Sequence, residues 1–338
     1  MAAFLYPLSM PESAIIFGGT GYIGTRLAVH LRDQGWRRIQ LADIKPPVGA
    51  LPPGIDFVRC DVRLPIEAQI GAAEADWIFN FAAIHREPGH AYREYFDTNL
   101  PGARNVCAYA ELIRCANILF TSSIAVYGDI IGPTDERTAT YPNTAYGISK
   151  LCAEIIHEGW REAGSNRRLV IVRPGVVYGP GEPGNMLRMI QALQRGRFIF
   201  PGDGSVRKSY AYIFGLLESM EFMLARPEPC LRYNYVEKET EPLRALVDHV
   251  AALLGIRPPK LRAPAVLLMS AARLAQLATN GRSPLHPMRV RKAAQSSHIV
   301  PAELIRLGFD FRYDFPSSLR HWISVAPEDF GPGLAAAR

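Results

Sequence analysis

Tyr146 and Lys150, four residues apart in Tyr-Gly-Ile-Ser-Lys, are the side chains whose types and spacing speak most directly of chemistry. On a helix, positions i and i+4 share one face, so the ammonium of Lys150 can lie near the phenol of Tyr146. A neighbouring cation favours phenolate and lowers a pKa that starts at about 10. The expected product is a general base that works near neutral pH on a substrate hydroxyl. Ser123, closing Thr121-Ser122-Ser123, can hydrogen-bond the same oxygen. Together the three residues point to hydride-transfer chemistry.

The elements that must position them alternate between strand-like and helix-like runs, as in a parallel sheet covered by helices. Apolar runs at 14–17, 39–42, 57–60, 77–83, 117–120 and 169–172 predict six strands. The run at 77–83 is nearly continuous, as expected of a strand covered on both faces. Between the first strand and a helix marked by Ile23, Leu27 and Leu31 lies Gly18-Gly-Thr-Gly-Tyr-Ile-Gly24. Glycines there let the backbone approach a pyrophosphate, and the helix start offers N–H donors. Asp43 ends the second strand, where a carboxylate accepts from ribose hydroxyls and repels a 2′-phosphate, so NAD is expected over NADP. Asp61 and Val62, after the third strand, are a weaker candidate contact for the adenine. His85, with Arg86 and His90, falls just beyond the fourth strand, at the edge where ligands bind in such sheets.

From Arg173 the texture changes, with Pro174, Gly175, Gly179, Pro180, Gly181 and Gly184 close together. The expected organisation is a cofactor domain over 13–173, with a returning strand near 232–236. A smaller, discontinuous substrate domain would take 174–231 and 237–330, and 1–12 would be a short extension.

A chain of 338 residues, 48% hydrophobic, is long enough for a large core. Its five cysteines form no Cys-x-x-Cys pair, which argues against a disulfide framework or a zinc site and suits a reducing cytoplasm. No metal is expected. The start of the chain is a poor signal peptide, and nothing reaches the about 18 unbroken apolar residues of a membrane span. Charge is unevenly placed. No acidic residue occurs between Asp248 and Glu303, a stretch holding Arg257, Lys260, Arg262, Arg273, Arg282, Arg289, Arg291 and Lys292 against a chain total of +6. A solvated or lipid-facing surface and a site for a diphosphate are the main readings of this segment. Nucleic acid is disfavoured, because aromatic interleaving and a recognition motif are both missing.

The motifs Gly18–Gly24, Asn80-Phe-Ala-Ala-Ile-His85, Asn99, Thr121-Ser-Ser-Ile-Ala-Val-Tyr-Gly128, Tyr146-x-x-x-Lys150 and Arg173-Pro-Gly-Val-Val-Tyr-Gly-Pro180 resemble, in this order, the extended short-chain dehydrogenase/reductase family. The likeness runs from about residue 13 to 325 and is nearest to the NAD-dependent sugar epimerase/dehydratase branch. It implies a Rossmann-type α/β doubly wound sheet with a smaller substrate domain. By the same resemblance Tyr146 is the acid/base, Lys150 lowers its pKa and holds the nicotinamide ribose, and Ser123 binds the reacting oxygen. Gly18, Gly21, Tyr22, Ile23 and Gly24 would hold the pyrophosphate turn of NAD. Ala82 and Ala83 would line the cofactor cleft, and Asn99 would support the surrounding network.

Departures from the family pattern narrow the reaction. Dehydratases of this branch carry an Asp-Glu pair where this chain has Ile124-Ala125, so water elimination is disfavoured. Val176 stands where many nucleotide-sugar epimerases carry Asn. Segments 197–213, 233–236 and 288–292 resemble bacterial enzymes that epimerise a hexosamine on a polyprenyl diphosphate carrier. Asn185, Arg207 and Lys208 are the expected diphosphate contacts, with His85 near the sugar. The helix over 264–278 is then either interfacial or packed into the domain. The expected activity is 4-epimerisation of a diphosphate-linked sugar, in a homodimer that is cytoplasmic or peripheral to the inner face of a membrane, with 257–292 touching the membrane surface. A net dehydrogenase or reductase is the alternative, and a non-catalytic NAD sensor the more distant one.

Overall fold

The computed structural model describes residues 11–331 apart from 88, 183, 281 and 283–285. Most of the expected extension over 1–12 lies outside the described residues.

Seven strands form one sheet: β1 (Ser13–Phe17), β2 (Arg38–Asp43), β3 (Ile55–Arg59), β4 (Trp77–Asn80), β5 (Asn117–Thr121), β6 (Arg168–Pro174) and β7 (Cys230–Tyr235). Their spatial order is β3-β2-β1-β4-β5-β6-β7, and every pairing is parallel. The order reverses between β1 and β4, which opens a crevice at the carboxyl ends of those strands. Central strands such as β1, β4 and β5 are buried along almost their whole length, which explains why they read as unbroken apolar runs rather than alternating ones. β4 stops at Asn80, not at Ala83. Phe81 still donates to the Phe17 carbonyl at 2.9 Å, but the chain then leaves the ladder to pass over the turn after β1.

Helix α1 (Tyr22–Asp33) covers one face of the sheet through Leu27, Ala28 and Leu31, in a core shared with the C-terminal part. Helices α2 (Tyr92–Leu112) and α3 (Ala145–Glu162) cover the other face through Val106, Cys107, Ala110, Ala153 and Trp160. Beyond β6 follow α4 (Asn185–Gln194), α5 (Ile213–Leu224), α6 (Leu243–Leu253), α7 (Ala265–Ala278), α8 (Pro287–Ala294) and α9 (Phe315–Val325). Two short parallel pairs, Val176–Tyr178 with Tyr210–Tyr212 and Phe200–Pro201 with Arg262–Ala263, organise this part. No helix among the described residues is long and apolar enough to cross a membrane.

One ion pair joins α3 to the sheet in full burial. Arg173, at the end of β6, donates through Nε to Glu154 Oε1 at 2.9 Å and through Nη2 to Oε2 at 2.6 Å. Both side chains are almost wholly shielded, at 2% and 1% exposure. Removing one member would leave an uncompensated buried charge, whereas Glu158, whose partner Arg232 is part-exposed, tolerates loss far better. Glu154→Gln is therefore expected to lower unfolding free energy by about 3 kcal/mol. Urea denaturation beside Glu158→Gln measures the difference, and equal midpoints would remove the pair from any structural role.

Candidate active site

The turn after β1 lies at the crevice. Gly18 adopts φ 72°, and a Cβ on it would stand 2.7 Å from the Ala82 nitrogen and 2.8 Å from the Phe81 carbonyl carbon. Only glycine allows the turn and the chain leaving β4 to meet so closely. Gly21 is the N-cap of α1 and contributes no side-chain cap, so the first N–H groups of α1 are left for a ligand. Tyr22 and Ile23 form that first turn, with Gly24 buried behind them. Asp43, at the end of β2, accepts from the Thr20 N–H at 3.2 Å and the Lys45 N–H at 3.3 Å, which fixes its carboxylate beside the turn.

Further along, Asp61 is gripped by Arg63, whose Nη2 donates at 2.6 Å, and this hydrogen bonding holds its carboxyl below the usual range. Ile44, Arg59, Asp61, Arg63 and Gln69 line a cavity of about 420 Å³ at this end of the crevice. Val62 is buried, its carbonyl held by Asn105 at 2.8 Å. These residues fit a dinucleotide: a cradle without side chains, free helix N–H groups, and a carboxylate at the second strand's end. Where β4 and β5 end, Asn80 Oδ1, Thr121 Oγ1 and Ser122 Oγ are buried without a hydrogen-bond partner. Ala82 and Ala83, partly buried, continue the same wall.

Beyond β5, Ser123 caps a short 3₁₀ turn, Ile124–Tyr127, by accepting from the Ala125 N–H at 3.2 Å. Helix α3 starts behind Thr144, which accepts from the Gly147 N–H at 3.1 Å. Gly147 lets the two elements touch, since a Cβ there would fall 2.4 Å from the Ala125 carbonyl oxygen. The contact brings the Tyr146 hydroxyl close enough to Ser123 for that side chain to act on the phenol.

The electrostatics differ from the sequence expectation. Burial raises the Tyr146 phenol to about 12; Ser123 pulls it down, while Glu87 and Tyr95 push it further up. Lys150 does not lower it in the protein alone, and the reason is geometric. The Lys150 ammonium lies 4.3 Å over the Phe120 ring, and desolvation drops its pKa from the ordinary 10.5 to about 7 against the pull of Glu154. His157 stacks on Phe120, with ring centroids 4.2 Å apart. Its Nδ1 donates to the Ala153 carbonyl at 2.7 Å, so Nε2 accepts from Asn80 at 3.2 Å, and burial keeps the ring neutral with a pKa of about 4.

Asn99 binds the loop after β4 to α3. Its Oδ1 accepts from the Ile84 N–H at 2.8 Å; its Nδ2 donates to the Ile84 carbonyl at 3.2 Å and to Ser149 Oγ at 2.9 Å. Ser149 in turn donates to the Tyr146 carbonyl at 2.8 Å. His85 stands exposed in that loop; desolvation by its surroundings lowers its pKa, and Arg86, Lys150 and His90 act in the same direction. His90 is engaged with Glu94 at 2.9 Å instead of facing the cleft.

The expected diphosphate contacts are placed differently. Asn185 opens α4, exposed, and accepts from Arg188 at 3.0 Å. Arg207 donates to the Thr240 carbonyl. Lys208 spends its ammonium on the carbonyls of Lys292 and Gln295 at the end of α8, and desolvation brings its pKa down to about 8. It reaches the site indirectly, because Lys292 pairs with Glu87 at 2.7 Å. The sequence reading missed Glu87, Gly147, Glu154 and His157. Glu154 had a signal, for Tyr146, Lys150 and Glu154 recur at i, i+4 and i+8 on one helical face. Glu87 had none.

Comparison with known proteins gives the family and the fold. The model of the NAD dependent epimerase/dehydratase family matches residues 14–234. An Escherichia coli O157:H7 protein, N-acetyl-alpha-D-glucosaminyl-diphospho-ditrans,octacis-undecaprenol 4-epimerase, is 30% identical over 257 residues, covering 75% of this chain and 76% of that one. The structure of MoeE5 in complex with UDP-glucuronic acid and NAD gives a TM-score of 0.72 at 21% identity, over 92% of this chain and 98% of that one. Bordetella bronchiseptica WbmG in complex with NAD also gives 0.72, at 20% identity and 95% of each chain. At these identities the two structures show a shared fold.

Two outcomes follow. Gly18→Ala, strained in backbone and overlapping Ala82, is expected to yield folded protein that no longer co-purifies with NAD, read by absorbance and mass analysis after denaturation. Lys150 makes the cofactor-free fold bind fewer protons than the unfolded chain between about pH 7 and 10, so its contribution to stability is least at or below neutrality and rises through that window. Urea midpoints of wild type should climb with pH relative to Lys150→Met; parallel profiles would contradict a buried ammonium.

Proposed function

We propose a function for this chain from one premise: it belongs to the NAD-dependent epimerase/dehydratase family and is an NAD-dependent enzyme of the extended short-chain dehydrogenase/reductase type. Within that family it acts as a 4-epimerase on a hexosamine or hexose joined to a diphosphate, with a polyprenyl carrier as the first choice and a nucleotide as the second. The observation that carries this reading is the juxtaposition of Ser123 and Tyr146 at the end of the sheet, where Gly147 lets their two elements touch, beside a turn whose Ile124 and Ala125 provide no carboxylate. A proton-transfer pair is present, and the acids that would drive elimination are not at that turn. Similarity to the undecaprenol-linked 4-epimerase supports the carrier.

NAD would be held along the Gly18–Gly24 turn, would accept the hydride there and would bring positive charge into the cleft. Ser123 holds the sugar's 4-hydroxyl against Tyr146. With its pKa pulled down by that charge, Tyr146 takes the hydroxyl proton as C4 gives up hydride, leaving a 4-keto sugar. Asn99, through Ile84 and Ser149, fixes the loop and helix that hold the ring. Rotation of the keto sugar and return of hydride and proton to its other face complete the inversion, with no net use of cofactor. The diphosphate stays anchored while the sugar turns, a use of remote binding energy in the reacting step. Asn185 and His85 are the contacts we assign to it; Arg207 is engaged with the Thr240 carbonyl. Lys208 serves instead by holding the end of α8. With a lipid carrier, segment 257–292 faces the membrane that holds it. A homodimer through α2 and α3 belongs to the same reading, since Leu112 and Ile155 leave apolar side chains exposed on them.

Incubation with polyprenyl-diphosphate N-acetylglucosamine and, separately, UDP-N-acetylglucosamine, with no NAD added, tests the reading by chromatography and mass analysis. A product of unchanged mass and new retention is expected, first from the lipid-linked sugar. Tyr146→Phe should lower its rate by about 10²–10⁴-fold while NAD is retained. Turnover that needs added NAD and yields an oxidised sugar would replace the epimerase with a dehydrogenase.

A further inference from the structure

The acid-free segment folds into α7 and α8, packed against each other. Helix α7 buries one residue, Ala272, with Leu268, Met269 and Ala275 half-buried on the same side. Its opposite side keeps Val266, Leu267, Leu274 and Leu277 at 67%, 63%, 67% and 76% exposure, and Leu261 joins them at 61%. These positions recur at helical spacing and form one apolar stripe. A surface helix ordinarily turns such a stripe toward the core; here it points outward, while Ala272 with Leu268, Met269 and Ala275 faces in. Arg273 lies within the stripe, and Arg257, Lys260, Arg262 and Arg282 are exposed in the segments on either side of it.

Two occupants could cover an apolar face of this kind, and charge decides between them. A second copy related by two-fold symmetry would set the same patch against itself, arginine toward arginine, with no carboxylate in 249–302 to offset them. An anionic bilayer surface satisfies both parts, because leucines enter the boundary between head groups and acyl chains while arginines meet phosphates. We propose that the outer face of α7 docks on an anionic membrane surface through Val266, Leu267, Leu274 and Leu277, with Arg273 and the flanking basic residues as its electrostatic rim.

Docking there would also orient the active site. Helix α8 carries Lys292, which pairs with Glu87 at 2.7 Å, and Glu87 is one of the charges acting on Tyr146. Lys208 fixes the end of the same helix through the Lys292 and Gln295 carbonyls. The membrane-facing helix pair and the mouth of the cleft are thereby held in one frame, so a lipid-held sugar is met at a set height. The surface rests on the polyprenyl-carrier reading and deepens it, while vesicle binding itself is read without any sugar.

Sedimentation of the full chain, NAD-loaded, with phosphatidylcholine vesicles containing phosphatidylglycerol, and with phosphatidylcholine alone, tests the proposal. Binding is expected only with the anionic lipid and should weaken as salt rises. Leu274→Gln and Leu277→Gln should each reduce affinity about tenfold, and Arg273→Gln about fivefold, with NAD content and urea midpoint unchanged. Equal binding to both vesicle types, or binding that Leu274→Gln and Leu277→Gln leave intact, overturns it. A larger species in solution that Leu277→Gln dissolves would assign the face to a second copy and overturn it as well. Retained turnover of a water-soluble sugar diphosphate by the same variants separates loss of docking from loss of the site.

Discussion

A positive charge buried under the carboxyl end of the sheet is the constraint on which the rest of the site depends. Lys150 is almost wholly shielded from water, and desolvation of its ammonium is the largest influence on it. Partial compensation comes from the Phe120 ring face and from Glu154 one turn along α3. Glu154 cannot stay charged there alone, so Arg173 closes on it with two hydrogen bonds. Arg173 also donates to the Tyr127 hydroxyl at 3.0 Å, and Tyr127 donates to Asn234 of β7 at 2.9 Å. Satisfying one ammonium therefore ties together α3, the turn that carries Ser123, β6 and β7. The geometry of Ser123 against Tyr146 is a consequence of that chain.

The same burial leaves both proton-carrying groups displaced in the protein alone. Tyr146 is raised and Lys150 lowered, each toward its neutral form, because a dry site disfavours charge of either sign. Such a site does little to a hydroxyl until positive charge enters it. The neutral His157, stacked behind Phe120, adds no competing charge.

Around this fixed centre, the outer parts of the molecule are built from weaker ties. Exposed pairs such as Lys292–Glu87 and hydrogen bonds to carbonyls from Arg207 and Lys208 hold the C-terminal helices against the mouth of the cleft. Two of the side chains expected on a diphosphate are thus already engaged with protein. Helix α7 buries only Ala272 fully and leaves Val266, Leu267, Leu274 and Leu277 exposed, unlike the core-packed alternative open to the sequence.

The sequence by itself determined the parts of this protein that obey local rules. Apolar runs bounded by glycine and aspartate placed the strands of the parallel sheet to within a few positions, because a strand buried on both faces must be continuously apolar. The glycine turn with Asp43, and the i, i+4 spacing of Tyr146 and Lys150, marked the two ends of the candidate site, since backbone space and helical periodicity are local properties. Tertiary structure alone decided where β4 stops, which charges act on Tyr146, and what Lys208 holds. It also chose which side of α7 faces water. Glu87 is far from Tyr146 in the chain, and burial, unlike residue type, is set by what the rest of the chain packs against; a pKa follows burial.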